Sequence, residues 1–147
     1  WSTPKGKTPR SGAKETQNII TANMVTEEDR VDFFPKHCAR AFLMFESHVY
    51  NWMRRLCPNY DGVFWQFYEL SNGGFYMAPE TATPVRIVCE GNYFNEEMSA
   101  DAAGIVVTLF TLSHMAERVP SLADRYYDLM EYIDCHPEAG KIYAAID

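Results

Sequence analysis

The sequence predicts an α+β domain: a small three-stranded antiparallel sheet, a meander with an Asn-Gly hairpin, packed by four to five helices. Three observations lead there. Helical periodicity occupies both ends of the chain, while three short segments rich in β-branched and aromatic residues lie between them. Asn72-Gly73 joins two of those segments as a hairpin pair would. The stretch ADAAGIVVTLFTLSHM is apolar nearly all round, the mark of a central buried helix.

The elements follow in chain order. Residues 1–17, opening WSTPKGKTPRSG, are rich in Pro, Gly, Ser and Thr and are expected to form a disordered basic tail outside the fold. Residues 18–147 are expected to form a single domain. Thr26, followed by Glu27, Glu28 and Asp29, caps a short helix to about Phe34. Pro35 suits the first turn of a longer helix that reaches about Cys57 and stops at Pro58-Asn59. Its apolar face carries Ala39, Phe42, Leu43, Val49, Tyr50, Met53 and Leu56. Strands are expected at 63–70, 74–78 and 85–89.

If Asn72-Gly73 forms a two-residue type I′ turn, Leu70 faces Phe75 and Tyr68 faces Met77. Both faces of that hairpin are apolar, which favours burial on both sides over display of one face to a partner. Ser99 then caps the apolar helix, where Gly104 implies close packing, since it costs about 1 kcal/mol relative to alanine. Ser121-x-x-Asp124 opens the next helix as a capping box, with Leu122, Tyr126, Leu129 and Ile133 buried. Pro137 starts a last helix with Ala139, Ile142, Tyr143 and Ile146 on its core side.

Charge and composition bound the function. The first 17 residues balance at +3, so the −7 of the whole chain leaves −10 on residues 18–147. No apolar run approaches the roughly 20 residues of a membrane helix, and the chain reads as a soluble cytoplasmic protein. Cys38, Cys57, Cys89 and Cys135 form no C-x-x-C pair, so free thiols are expected and a metal is not. The sequence KGKT lacks the upstream glycine of a phosphate loop, and no helix follows Gly74 to receive phosphate at its N-terminus.

Four sets of residues carry candidate chemistry. Glu46 falls within the apolar stripe of its helix, as a general acid or base or as a structural carboxylate paired with Arg86 or Arg125. The structural reading is favoured, because no nucleophile or second carboxylate can be placed beside it. The opposite side of that helix carries Lys36, His37, Arg40, His48, Arg54 and Arg55, a phosphate-binding face or an ordinary solvated one. Asp124, Asp128, Glu131 and Asp134 form a carboxylate row that either imitates a phosphate backbone or is simply solvated. The remaining alternatives are an enzyme using Glu46 with His37, His48 or a thiol, and a weak DNA-binding module using the basic face of the helix over residues 36–57. The residues alone favour a binding protein without cofactor.

FFPKH (33–37), VYNWMRRL (49–56), LSNGGFYMAP (70–79), SADAAGIVVTLF (99–110) and HPEAG (136–140) together give a more specific reading. From about Val25 to Asp147 the chain resembles the ArdB/KlcA-type antirestriction proteins of conjugative plasmids and related mobile elements. Cys38-Ala39 departs from the Phe-Gly often found there. The resemblance implies protection of incoming DNA from type I restriction, a compact α+β fold, no known cofactor and no recognised active site. The implied partner is the type I restriction-modification complex or a host factor controlling it, with no membrane role and no nucleic-acid contact expected. No binding residues carry over. The candidates for interaction are therefore those from the residues themselves: Asp124, Asp128, Glu131, Asp134, Arg40, Arg54 and Arg55.

Overall fold

The computed structural model describes residues 19–38 and 42–147, without the side chains of residues 34–38, 42 and 43. The 1–17 tail and Arg40 lie outside the described residues, as do the side chains of Lys36, His37 and Cys38. In chain order the elements are β1 (Ala22–Met24), α1 (Glu27–Cys38), α2 (Phe42–Leu56), β2 (Trp65–Leu70), β3 (Phe75–Pro79), β4 (Val85–Cys89), β5 (Phe94–Met98), α3 (Ala100–Met115), α4 (Leu122–Ile133) and α5 (Ala139–Ile146).

The three-stranded antiparallel sheet has the order β1-β2-β3, and β4 pairs with β5 in a separate two-stranded sheet. Its third member is thus the short N-terminal strand rather than residues 85–89. The latter find a nearer partner in β5, which puts Phe94 and Met98 inward but exposes Asn95, Glu96 and Glu97. Three polar residues in five hide such a strand from propensity.

The hairpin register differs by one residue from the two-residue turn. Glu69 faces Phe75 and Tyr68 faces Tyr76. Ser71, Asn72 and Gly73 form a three-residue loop in which the Gly73 N–H donates to the Leu70 carbonyl (3.0 Å) and Gly73 alone takes a positive φ, +98°. A tight turn followed by a left-handed glycine is the next commonest hairpin solution. The slip moves Tyr76 and Ala78 onto the face of Tyr68, and Phe75 and Met77 onto the face of Trp65 and Phe67. One face meets α1 and α2: Phe33 stacks on Phe67 (4.7 Å), and Phe33 and Phe45 meet Phe75 edge-on.

The central helix α3 lies against β3. Ser99 caps it, its Oγ accepting the Ala102 N–H at 3.1 Å, and all but three of its residues are buried. A Cβ on Gly104 would stand 2.5 Å from Ala78 Cα and closer still to the Met77 carbonyl, so only glycine allows this approach. Thr108 Oγ1 accepts the Met77 N–H (3.2 Å), satisfying a backbone donor of β3 that has no strand partner.

Local starts diverge in two places. Thr26 caps α1 as expected, accepting the Asp29 N–H at its Oγ1. Pro35 does not begin a second helix; it lies inside α1, in its later turns, where it removes one backbone N–H from the helix ladder. Ser121 makes no side-chain cap, because its own backbone is already helical (φ −63°, ψ −21°). Leu122, Tyr126, Leu129 and Ile133 are fully buried as expected, whereas Tyr143 of α5 is 37% exposed and Ala145 takes its place inside.

Tyr93, between β4 and β5, is 98% exposed and sits in the left-handed region (φ 55°, ψ 35°). The side chain covers nothing, so Tyr93→Gly removes strain without removing packing. It should raise unfolding stability by up to about 1 kcal/mol in urea titration.

Candidate functional site

Three of the segments singled out in the sequence meet at one junction. The first contact joins the hairpin loop to α4. Asn72 Nδ2 donates to the Asp128 carbonyl (2.8 Å) and to Glu131 Oε1 (3.2 Å), while its Oδ1 accepts the Gly74 N–H (3.0 Å). Arg125 bridges the same surfaces, donating to the Gly73 carbonyl at 3.1 Å and pairing with Asp128 at 3.2 Å. A Cβ on Gly74 would meet Asp128 Cβ at 2.7 Å, so the second glycine of the loop is set by docking rather than by the turn.

The second contact is a polar network at the N-terminus of α3. Asp101 accepts from the Tyr76 hydroxyl at Oδ1 and from His136 at Oδ2, both at 2.8 Å. The Glu138 N–H donates to His136 Nδ1 at 3.0 Å, which leaves the imidazole proton on Nε2 to face Asp101. Both ring nitrogens are thereby committed. Ser99 Oγ and the Ser99 N–H both donate to the Glu138 carboxylate rather than to histidine. Serine, histidine and aspartate lie close together here, yet the relay a nucleophilic serine needs is not formed.

Burial, together with the charge and hydrogen bond of Asp101, pushes the Tyr76 phenol far above its ordinary value. Burial alone would push the Glu138 carboxyl up. The Ser99 hydrogen bonds outweigh it and, with His136 and Lys141, hold this carboxyl below the usual range near 4.5. A carboxyl depressed in the folded state stabilises the fold above its unfolded pKa, and that contribution is lost as pH falls through the folded value. Wild type should therefore be more stable than Glu138→Gln at pH 7. The gap should narrow progressively below pH 4.5 in denaturant titrations.

Beside this network a groove of about 350 Å³ opens on the Tyr68 face of the sheet. Gln66, Tyr68 and Ala78 form part of its wall, with Met24, the Pro79–Ala82 segment and the first residues of α3, including Asp101, around them. The Asp101 side chain is 38% exposed, so its carboxylate serves the network and also lines the groove.

Residues 58–147 match the family model described as Antirestriction protein. An antirestriction protein KlcA of Escherichia coli is 46% identical over 135 residues, covering 87% of this chain and 95% of that protein. This chain belongs to the antirestriction protein family. A second Escherichia coli KlcA is 47% identical over 137 residues. A solved structure of this family, at 45% identity and TM-score 0.84, covers 91% of this chain and 99% of its own. It is described as showing, for KlcA and ArdB, a novel fold and antirestriction activity against type I DNA restriction systems in vivo but not in vitro.

In this antirestriction protein the carboxylate row is not uniformly solvated. Asp128 is 2% exposed and paired with Arg125, Glu131 accepts from Asn72, and Asp134 accepts the Tyr143 hydroxyl at 2.7 Å. Asp124 is exposed. On α2, Arg54 is exposed and donates to Asn51, while Arg55 lies over the Trp52 ring at 4.8 Å. Glu46 pairs with neither Arg86 nor Arg125. It accepts the Tyr50 hydroxyl one turn away at 2.7 Å, while Arg86 holds Asn95 and Arg125 holds the hairpin loop. Burial pushes the Cys89 thiol up to about 11 and that of Cys57 upward, which leaves neither as a thiolate at neutral pH. Among the described residues no three His, Cys, Asp or Glu side chains are grouped to hold a metal.

Sequence reading placed Asp101 only as a first-turn acid of its helix. Its partners Tyr76 and His136 lie 25 and 35 residues away, beyond any local pattern. Among the described residues no helix is long and apolar enough to cross a membrane.

Proposed function

We propose that this protein relieves type I restriction of incoming DNA in the cell. It acts by non-catalytic contact with the restriction-modification complex or with a cellular factor that controls it. The observation that carries the reading is the 45% identity and 0.84 TM-score to a structure described as active against type I systems in vivo but not in vitro. Activity in the cell without activity in purified mixtures favours a requirement for some cellular component. The local chemistry agrees with a contact role. His136 has both nitrogens committed, Glu46 is held by Tyr50, and the buried thiols Cys57 and Cys89 are protonated.

The exposed acidic groups, Asp124 among them, and the exposed Arg54 remain the candidate contact residues from the two helix faces. Arg55 belongs to the same basic face by helical spacing, and Arg40 stays a candidate that lies outside the described residues. The buried Asp128 is proposed as a scaffold for the loop rather than a contact.

The test is the plating of unmodified phage on a type I-proficient host with and without the gene. Plating efficiency should rise with the protein present, and equal restriction in the two strains would overturn the reading.

A further inference from the structure

We propose that the groove beside Tyr68 receives the cationic tip of an arginine or lysine side chain presented by the protein partner, arginine being the better fit. The partner half of this proposal rests on the contact reading above; the groove itself is argued from its chemistry. Among the described residues its lining carries two carboxylates, Asp101 and Glu80, and no basic side chain, the nearest cation named being Arg30 on the lining residue Gln66. Asp101 is fixed in place by Tyr76 and His136, each donating to one of its oxygens, while more than a third of the side chain stays open to solvent. A carboxylate held by two donors is already oriented, so a guanidinium meets it with little reorganisation.

The remaining walls suit the same ligand. Tyr68 supplies an aromatic ring, held by its stack on Tyr76 at 4.8 Å and 13°. A guanidinium over such a ring gains from the negative face of the π system. Gln66 offers no free acceptor to a cation, because its carbonyl oxygen already accepts from Arg30 Nη2 at 2.7 Å, and it contributes only shape. Met24, Ala78 and Pro79 give an apolar lining for the aliphatic stem of the incoming residue.

Competing ligands fit less well. The N-terminus of α3 would favour an anion. That demand is already met by the protein itself, with Ser99 Oγ on the Ala102 N–H, Glu138 on the Ser99 N–H and Asp101 in the first turn. A divalent cation wants six or more oxygens, and only two carboxylates, Glu80 and Asp101, are among the described residues lining the groove. Charge complementarity therefore points to a monovalent, planar, hydrogen-bonding cation.

The experiment is a two-dimensional amide NMR titration of the full chain at low salt. The probes are N-acetyl-arginine methylamide, its lysine counterpart, the neutral citrulline counterpart and calcium chloride, all at matched ionic strength. Arginine should give saturable shifts confined to the neighbourhood of Gln66, Tyr68, Glu80, Thr81 and Asp101, with a dissociation constant on the order of 1–10 mM. Lysine should act more weakly, and citrulline should do nothing.

Asp101→Asn disturbs a folded network, so Glu80→Gln is the cleaner variant. It should weaken arginine binding about twofold to fivefold and lower plating efficiency while leaving the spectrum otherwise intact. Absence of saturable shifts, an equal response to citrulline, or a stronger response to calcium would overturn the proposal. If wild type protects phage and the titration is blank, the groove proposal falls alone. If wild type fails to protect, the functional reading falls and the titration still decides the groove.

Discussion

Gly104→Val is expected to cost about 3 kcal/mol or more of folding stability, measured as a shift of the urea midpoint at constant slope. A new Cβ would contact backbone atoms of Met77 and Ala78, not the end of a flexible side chain. Relief requires α3 to move away from β3, which opens the core around Ile105, Thr108 and Leu109, all fully buried. Gly104→Ala separates the two opposing effects. Helix propensity would gain about 1 kcal/mol, so any net loss reports the clash. If Gly104→Ala stabilises the protein, α3 does not approach β3 as closely as described.

Tyr76→Ala should cost about 3–5 kcal/mol, whereas Tyr76→Phe should cost only about 1–2 kcal/mol. The ring is 1% exposed and stacks between Tyr68 and Tyr132 at 4.8 and 5.9 Å, so truncation leaves a cavity at the centre of the junction. Phenylalanine keeps that packing and loses only the hydroxyl bond to Asp101. Guanidinium titration of both variants checks the ratio. Equal losses would show that the hydrogen bond, not the ring, dominates.

Legibility in the sequence followed the range of the interactions. The central helix was readable because its burial is nearly complete, and Ser99 and Thr26 act as caps on residues three positions away. The hairpin's existence was local, but its register was not. Asn72 is held by Asp128 and Glu131 of a helix more than fifty residues on, and that docking accompanies a three-residue loop instead of the two-residue turn. Strand β5 was hidden by its exposed Asn95, Glu96 and Glu97. Spacing set the acidic row of α4 on the side away from Leu122 and Ile133, but Asp128 is buried and Asp134 lies just past the helix. Spacing could not show that Asp128 and Glu131 would meet the hairpin loop and that Asp134 would hold Tyr143.

The family-specific segments thus meet largely for architectural reasons. Hairpin, α3 and the His136–Glu138 turn interlock through Gly104, Asp101 and Ser99. What this leaves facing outward, beside Tyr68 and Asp101, is the groove proposed to receive a partner's cationic side chain.

The most direct test of that reading is recovery of the tagged protein, after cross-linking, from type I-proficient cells in which it is relieving restriction. The account predicts stoichiometric recovery of a subunit of the restriction-modification complex or of a factor that controls it, reduced in the Glu80→Gln variant. Full relief of restriction with no such partner recovered would contradict it.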